Sequence, residues 1–181
     1  HASLLENAGK EGRRRRVLAV PDLGVLPKKL LEEILERNHV VLNEKTVILE
    51  NYKRSATCLE TILKHSVVED EVSVLSEAEY EKYPLVLPLA ECFLEKDIRL
   101  TYEEYHACIG AAENYAKANE NYQFNLTKIK GFHNIQITCF EGKWCMISKN
   151  RAPAIHFVIH HPKLRYALEN MVLPIRDDEI E

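Results

Sequence analysis

The stretch from residue 134 to residue 161 constrains this chain more than any other. Ile135, Ile137 and Cys139 recur at every second position, Glu141-Gly142 follows, and Trp144 and Met146 resume the period. Ile155, Phe157 and Ile159 repeat it once more. A period of two is the period of a strand, and an acidic residue followed by glycine suits a tight hairpin turn. The stretch therefore reads as an antiparallel β-meander. A two-residue turn at Glu141-Gly142 sets Cys139 opposite Trp144 and Ile137 opposite Met146. One face then collects Ile135, Ile137, Cys139, Trp144 and Met146 as core. The opposite face carries Gln136 and Thr138, with His156 and His160 on the third strand.

Helical signals surround this meander. Pro27 suits a first helical turn, and Leu30, Leu31, Ile34 and Leu35 follow at helical spacing. A second, longer helix opens near Asn43 and carries Val47, Ile48, Tyr52, Ala56, Leu59, Ile62 and Leu63. Glu71 to Leu75 alternates as a short strand. Ser76-Glu77-Ala78-Glu79 and Thr101-Tyr102-Glu103-Glu104 are capping boxes, in which the hydroxyl and the carboxylate three residues on satisfy backbone N–H groups reciprocally. Between them, Pro84 and Pro88 impose an extended connection. Tyr122 to Leu126 alternates as a strand, and His161-Pro162 opens a last helix. The fold class expected is α+β, a small antiparallel meander of three to five strands packed with helices, plus an N-terminal helical pair. Four segments follow: a flexible basic arm or linker at 1–20, a helical pair and candidate dimerisation element at 21–66, an α+β sensing or regulatory domain at 67–176, and an acidic tail at 177–181.

Charge sharpens the reading of the arm. The net charge is −4, but Lys10 and Arg13 to Arg16 against Glu6 and Glu11 put the first twenty residues at +3 and the remainder at −7. An acidic body argues against a broad nucleic-acid surface, so Arg13, Arg14, Arg15 and Arg16 are the candidate contacts to phosphate, with a solvated linker as the plain alternative. The five cysteines, Cys58, Cys92, Cys108, Cys139 and Cys145, show no C-x-x-C spacing and read as reduced, mostly buried thiols. No run reaches the roughly 18 apolar residues of a membrane span, and the opening residues lack a signal-peptide core, so a cytoplasmic location is expected.

Candidate chemistry is sparse. His156, His160 and His161 invite a metal, yet residues four apart on a strand are separated by about 13 Å, too far for one ion, so none is assigned. Neither Cys139 nor Cys145 opens a helix that would favour a thiolate nucleophile. No phosphate loop, nucleophile elbow or H-E-x-x-H pair occurs, and Glu77, Glu79, Glu103 and Glu104 suit helix starts. No catalytic residue or cofactor is assigned. Gln136, Thr138, His156 and His160 on the polar sheet face are the candidate ligand contacts, and a small-molecule module or a small enzyme built there is the alternative function.

The strings Asn134-Ile135-Gln136-Ile137, Glu141-Gly142-Lys143-Trp144, Ile147-Ser148-Lys149-Asn150, Pro153 to Ile159 and His161-Pro162-Lys163-Leu164-Arg165 carry a resemblance. With Tyr83 to Pro88 and Leu100 to Tyr105, they resemble the C-terminal region of uncharacterised Firmicutes transcriptional regulators with a helix-turn-helix of the xenobiotic-response-element type. The resemblance covers roughly residues 70 to 175. It implies a non-catalytic regulatory, dimerisation or effector-sensing domain, a homodimer, and a small-molecule effector. Residues 1–65 lack the short glycine-bearing turn and base-reading face of such a reader, so DNA contact falls to an upstream module or to the basic arm.

Overall fold

The run that looks most soluble in the sequence lies in the middle of the sheet. In the computed structural model, which describes residues 12–89, 96–127, 134–149, 151 and 155–172, Gly12–Leu18 forms strand β1. It is flanked on both sides, by β2 (Ser66–Ser73) in parallel and by β4 (Ile135–Phe140) in antiparallel. With β3 (Tyr122–Thr127), β5 (Trp144–Lys149) and β6 (Ile155–Ile159), these make one six-stranded mixed sheet in the order β3-β2-β1-β4-β5-β6. The protein is α+β, but the expected three to five antiparallel strands are half of a larger sheet whose other half is parallel. The arm expected at 1–20 is corrected likewise, since 12–18 is a central strand. The first eleven residues, the acidic tail at 177–181 and Cys92 lie outside the described residues.

Complementary charge explains how an arginine run becomes interior. Parallel pairing sets Arg15 beside Glu69, Arg16 beside Asp70 and Val17 beside Glu71. A basic run on one strand thus meets an acidic run on the next, and buried Arg16 and Asp70, like Arg15 and buried Glu69, sit as opposite charges side by side.

Five helices complete the described residues. The expected N-terminal pair is α1 (Lys28–Arg37) and α2 (Leu42–Leu63), which follow a 3₁₀ turn at Leu23–Val25. α3 (Glu77–Lys82) and α4 (Tyr102–Ala118) each start with a complete capping box, at Ser76 and at Thr101. α5 is Pro162–Val172. The β1–β2 connection carries α1 and α2, and the β2–β3 connection carries α3 and α4, as parallel neighbours require. Ile48, Leu59 and Ile62 of α2 and Tyr105, Cys108 and Ile109 of α4 share one core with Leu18, Val68, Val72, Phe140, Trp144 and Met146. The pair therefore spends its apolar stripe on its own sheet; Val41, Leu42 and Val47 stay exposed at the start of α2. On the other sheet face α5 brings Val172 and Leu168 to a smaller core of Val17, Ile137, Cys139, Cys145 and Ile147.

The hairpin forms where expected but one residue out of register. Phe140 pairs with Trp144, Cys139 with Cys145, Thr138 with Met146 and Ile137 with Ile147. Three residues, Glu141 to Lys143, make the turn, with Gly142 at φ +73°, a conformation that favours glycine. Because the side-chain period is two, the one-residue slip exchanges partners between faces. Trp144 and Met146 join Phe140 in the large core, whereas Ile137 and Cys139 face α5 with Cys145.

Candidate functional site

Three places concentrate polar or exposed chemistry. The first is built around β1. Arg16 Nε and Nη2 donate to the two carboxylate oxygens of Asp70, both at 2.6 Å, and its Nη1 donates to Asp22 at 2.5 Å. The Tyr122 hydroxyl donates to Asp70 at 2.6 Å. Burial works against the Arg16 charge, but the Asp70 and Asp22 carboxylates outweigh it and hold its pKa well above the ordinary value. Burial dominates at Asp70, whose pKa is raised despite Arg16 and the Tyr122 bond. Arg16 is 3% exposed and Asp70 0%. The adjoining cavity, lined by Arg14, Arg16, Asp22, Ser55 and Cys58, measures about 10 Å³. That is room for about one water molecule. The cluster joins β1, β2 and β3 through buried side chains.

Of the arginine run, Arg14 and Arg16 are buried, while Arg13 and Arg15 are part-exposed. Arg14 is fully buried, its guanidinium carbon 4.3 Å from the centre of the Phe140 ring. Arg13 and Arg15 flank the buried Glu69 at 3.3 and 3.2 Å. These side chains lie against carboxylates and a ring face of the sheet, with Arg13 still 41% exposed. The signal that locates them in the sequence is the Glu69-Asp70-Glu71 run, a strand-length acidic match to Arg13 to Arg16.

The second place is the row expected to bind a ligand. Pairing brings Gln136, Ser148 and His156 abreast across β4, β5 and β6, and the Ser148 hydroxyl lies 2.8 Å from His156 Nδ1. Ser148 was missed by sequence reasoning because the slipped register hid it. Thr138 is fully buried, and its hydroxyl has no hydrogen-bond partner among the described residues. His160 lies just beyond the end of β6 and is exposed. The structure thus sets Gln136 and His156 in one row with Ser148 between them, buries Thr138 and leaves His160 outside the strand. No group of three or more His, Cys, Asp or Glu among the described residues is placed to hold a metal.

The third place is the sheet edge. β6 lies at the end of the sheet, and Ile155, Phe157 and Val158 are all exposed, Phe157 at 62%. On the neighbouring helix Leu164, Tyr166 and Met171 are exposed as well. No helix among the described residues is long and apolar enough to cross a membrane. No family model, curated protein or solved structure matches the chain.

Proposed function

We propose that this chain is a non-catalytic regulatory and dimerisation domain of a bacterial transcriptional regulator, pairing with a second copy of itself through the outer edge of β6, the last strand of the sheet among the described residues. The observation that carries the reading is β6 itself. An edge strand presents a row of unpaired backbone N–H and C=O groups, and proteins that stay monomeric blunt it with lysine, proline, bulges or a covering element. Ile155-His156-Phe157-Val158-Ile159 has none of the first three, and four of its five residues are exposed. The strand is close to palindromic about Phe157. Antiparallel pairing about a two-fold axis there sets Ile155 against Ile159 and Phe157 against its own copy, a self-complementary contact of the kind a two-fold dimer requires.

The interior supports the same reading. The ionisable cluster around Arg16 and Asp70 is largely buried and ties strands of the sheet together. In this reading DNA contact belongs to a module other than the described strands, since Arg13, Arg15 and Arg16 already pair with carboxylates. The Gln136–Ser148–His156 row, two strands in from the proposed interface and reaching it at His156, is where an effector would influence assembly.

Hydrogen exchange followed at several protein concentrations tests the proposal. The amides of Ile155 to Ile159 should gain protection as concentration rises while those of β3, at the opposite sheet edge, do not change. Exchange of β6 that is fast and independent of concentration contradicts it.

A further inference from the structure

Cys139 and Cys145 are directly opposed partners on β4 and β5, with Cys145 Sγ 2.6 Å from Cys139 Sγ. Opposed residues of an antiparallel pair have Cα atoms roughly 4.5–5.5 Å apart, inside the roughly 4.4–6.8 Å window that a disulfide spans. Both thiols are free and buried. Cys58 and Cys108, also buried, lie in the large core on the other sheet face.

What covers the pair is a thinly docked helix. Of the eleven residues of α5 only Val172 is buried. Among the described residues the rest of its hold on the hairpin is Leu168, partly buried against the same small core, and three polar ties: the Arg165 guanidinium donates to Gly142 O at 3.1 Å, Glu169 accepts from Gly142 N at 3.3 Å, and the Cys145 thiol donates to Arg165 O at 3.8 Å. A cavity of about 40 Å³ lined by Arg15, Cys139, Glu141, Glu169 and Val172 runs along this seam. Elements with so little buried apolar surface open locally at a small fraction of the global unfolding cost.

We infer that Cys139 and Cys145 form a reversible dithiol–disulfide site, closed off by docked α5 and opened to small-molecule disulfides when α5 lifts from the hairpin. With oxidised glutathione as the oxidant, one thiol ionises and attacks it, releasing one reduced glutathione. The second thiol then attacks the mixed disulfide and releases another. The Sγ–Sγ bond forms, the two cysteine S–H bonds and the glutathione S–S bond break, and the two protons end on the two released glutathiones. While the helix is docked, the hydrogen bond with Cys145 and burial hold the Cys139 thiol pKa above its ordinary value, which disfavours its thiolate.

The test uses the full chain, oxidised glutathione and mass spectrometry. Trypsin cleaves after Lys143 and Lys149, so Cys139 and Cys145 fall on separate peptides and the disulfide appears as a linked pair. The linked pair should accumulate in the native protein, revert with dithiothreitol, and form roughly 5- to 30-fold faster in Leu168→Ala, the change expected when docking weakens by a kcal/mol or two. Arg165→Ala, which removes the tie to the turn and the pair with Glu169 inside α5, gives the same direction should Leu168→Ala fail to fold. Cys58 and Cys108 should remain unmodified. Stable glutathione adducts in place of the linked pair, linkage only alongside modification of Cys58 and Cys108, or equal rates in the wild type and the variants would overturn the inference.

Discussion

Replacing Arg16 with methionine tests how the sheet tolerates its interior charge. The substitution keeps most of the side-chain volume but removes three hydrogen bonds, two at 2.6 Å to Asp70 and one at 2.5 Å to Asp22. Asp70, fully buried, keeps the Tyr122 hydroxyl. Removing one partner of a buried pair costs about 3–5 kcal/mol, because the other charge stays desolvated. Here the cost is held near the lower end, about 3 kcal/mol, by an escape route: burial already raises the Asp70 pKa, and without Arg16 it rises further, so the carboxyl takes up a proton. A folded-state pKa above the unfolded one means that stability is gained as pH falls through it. The deficit of Arg16→Met should therefore be largest near neutral pH and shrink toward pH 4. Equilibrium urea unfolding reads this directly; with a slope of about 2 kcal/mol/M the midpoint should fall by about 1.5 M at pH 7. Arg13→Met is the control, since the 41% exposed Arg13 pair is worth less than about 1 kcal/mol. A deficit below about 1 kcal/mol for Arg16→Met, or one that ignores pH, would refute the argument.

Two further substitutions probe the frame. A Cβ built on Gly24 lies 2.9 Å from the Ser55 backbone, so Gly24→Ala should push the 3₁₀ turn off α2 and cost about 1–3 kcal/mol in a urea melt. Burial pushes the Glu104 pKa up, but the hydrogen bonds from Arg37 and from Thr101 outweigh it and hold it below the ordinary value. Its contribution is therefore present above the unfolded carboxylate range and lost as pH falls through the lowered folded value, and Glu104→Gln should flatten the thermal midpoint against pH in that acidic window.

How much of this was legible depends on which physical signal each element carries. The capping boxes at Ser76 and Thr101 are local, depending on two side chains three residues apart, and both helices start where those residues place them. The meander was legible as alternation, but its register rested on the turn. A three-residue turn at Glu141 to Lys143 in place of two exchanged Trp144 for Cys145 as the partner of Cys139, and so hid the dithiol pair and the place of Ser148 beside His156. β1 was illegible because arginines are read as solvated unless a partner is known. That partner, Glu69-Asp70-Glu71, lies more than fifty residues away and meets them only through a parallel crossover. The edge exposure of β6 likewise follows from strand order, which alternation alone does not supply.

The measurement that bears most directly on the central claim is sedimentation equilibrium on the wild type and on Phe157→Asp. Phe157 is 62% exposed, so the substitution removes little from the core of one copy while placing two like charges face to face across the proposed two-fold axis. The account predicts that the wild type sediments at twice the 20.9 kDa chain mass and that Phe157→Asp sediments as a single chain with an unchanged far-UV circular dichroism spectrum. A wild type that stays at 20.9 kDa at high concentration, or a dimer that Phe157→Asp leaves intact, contradicts it.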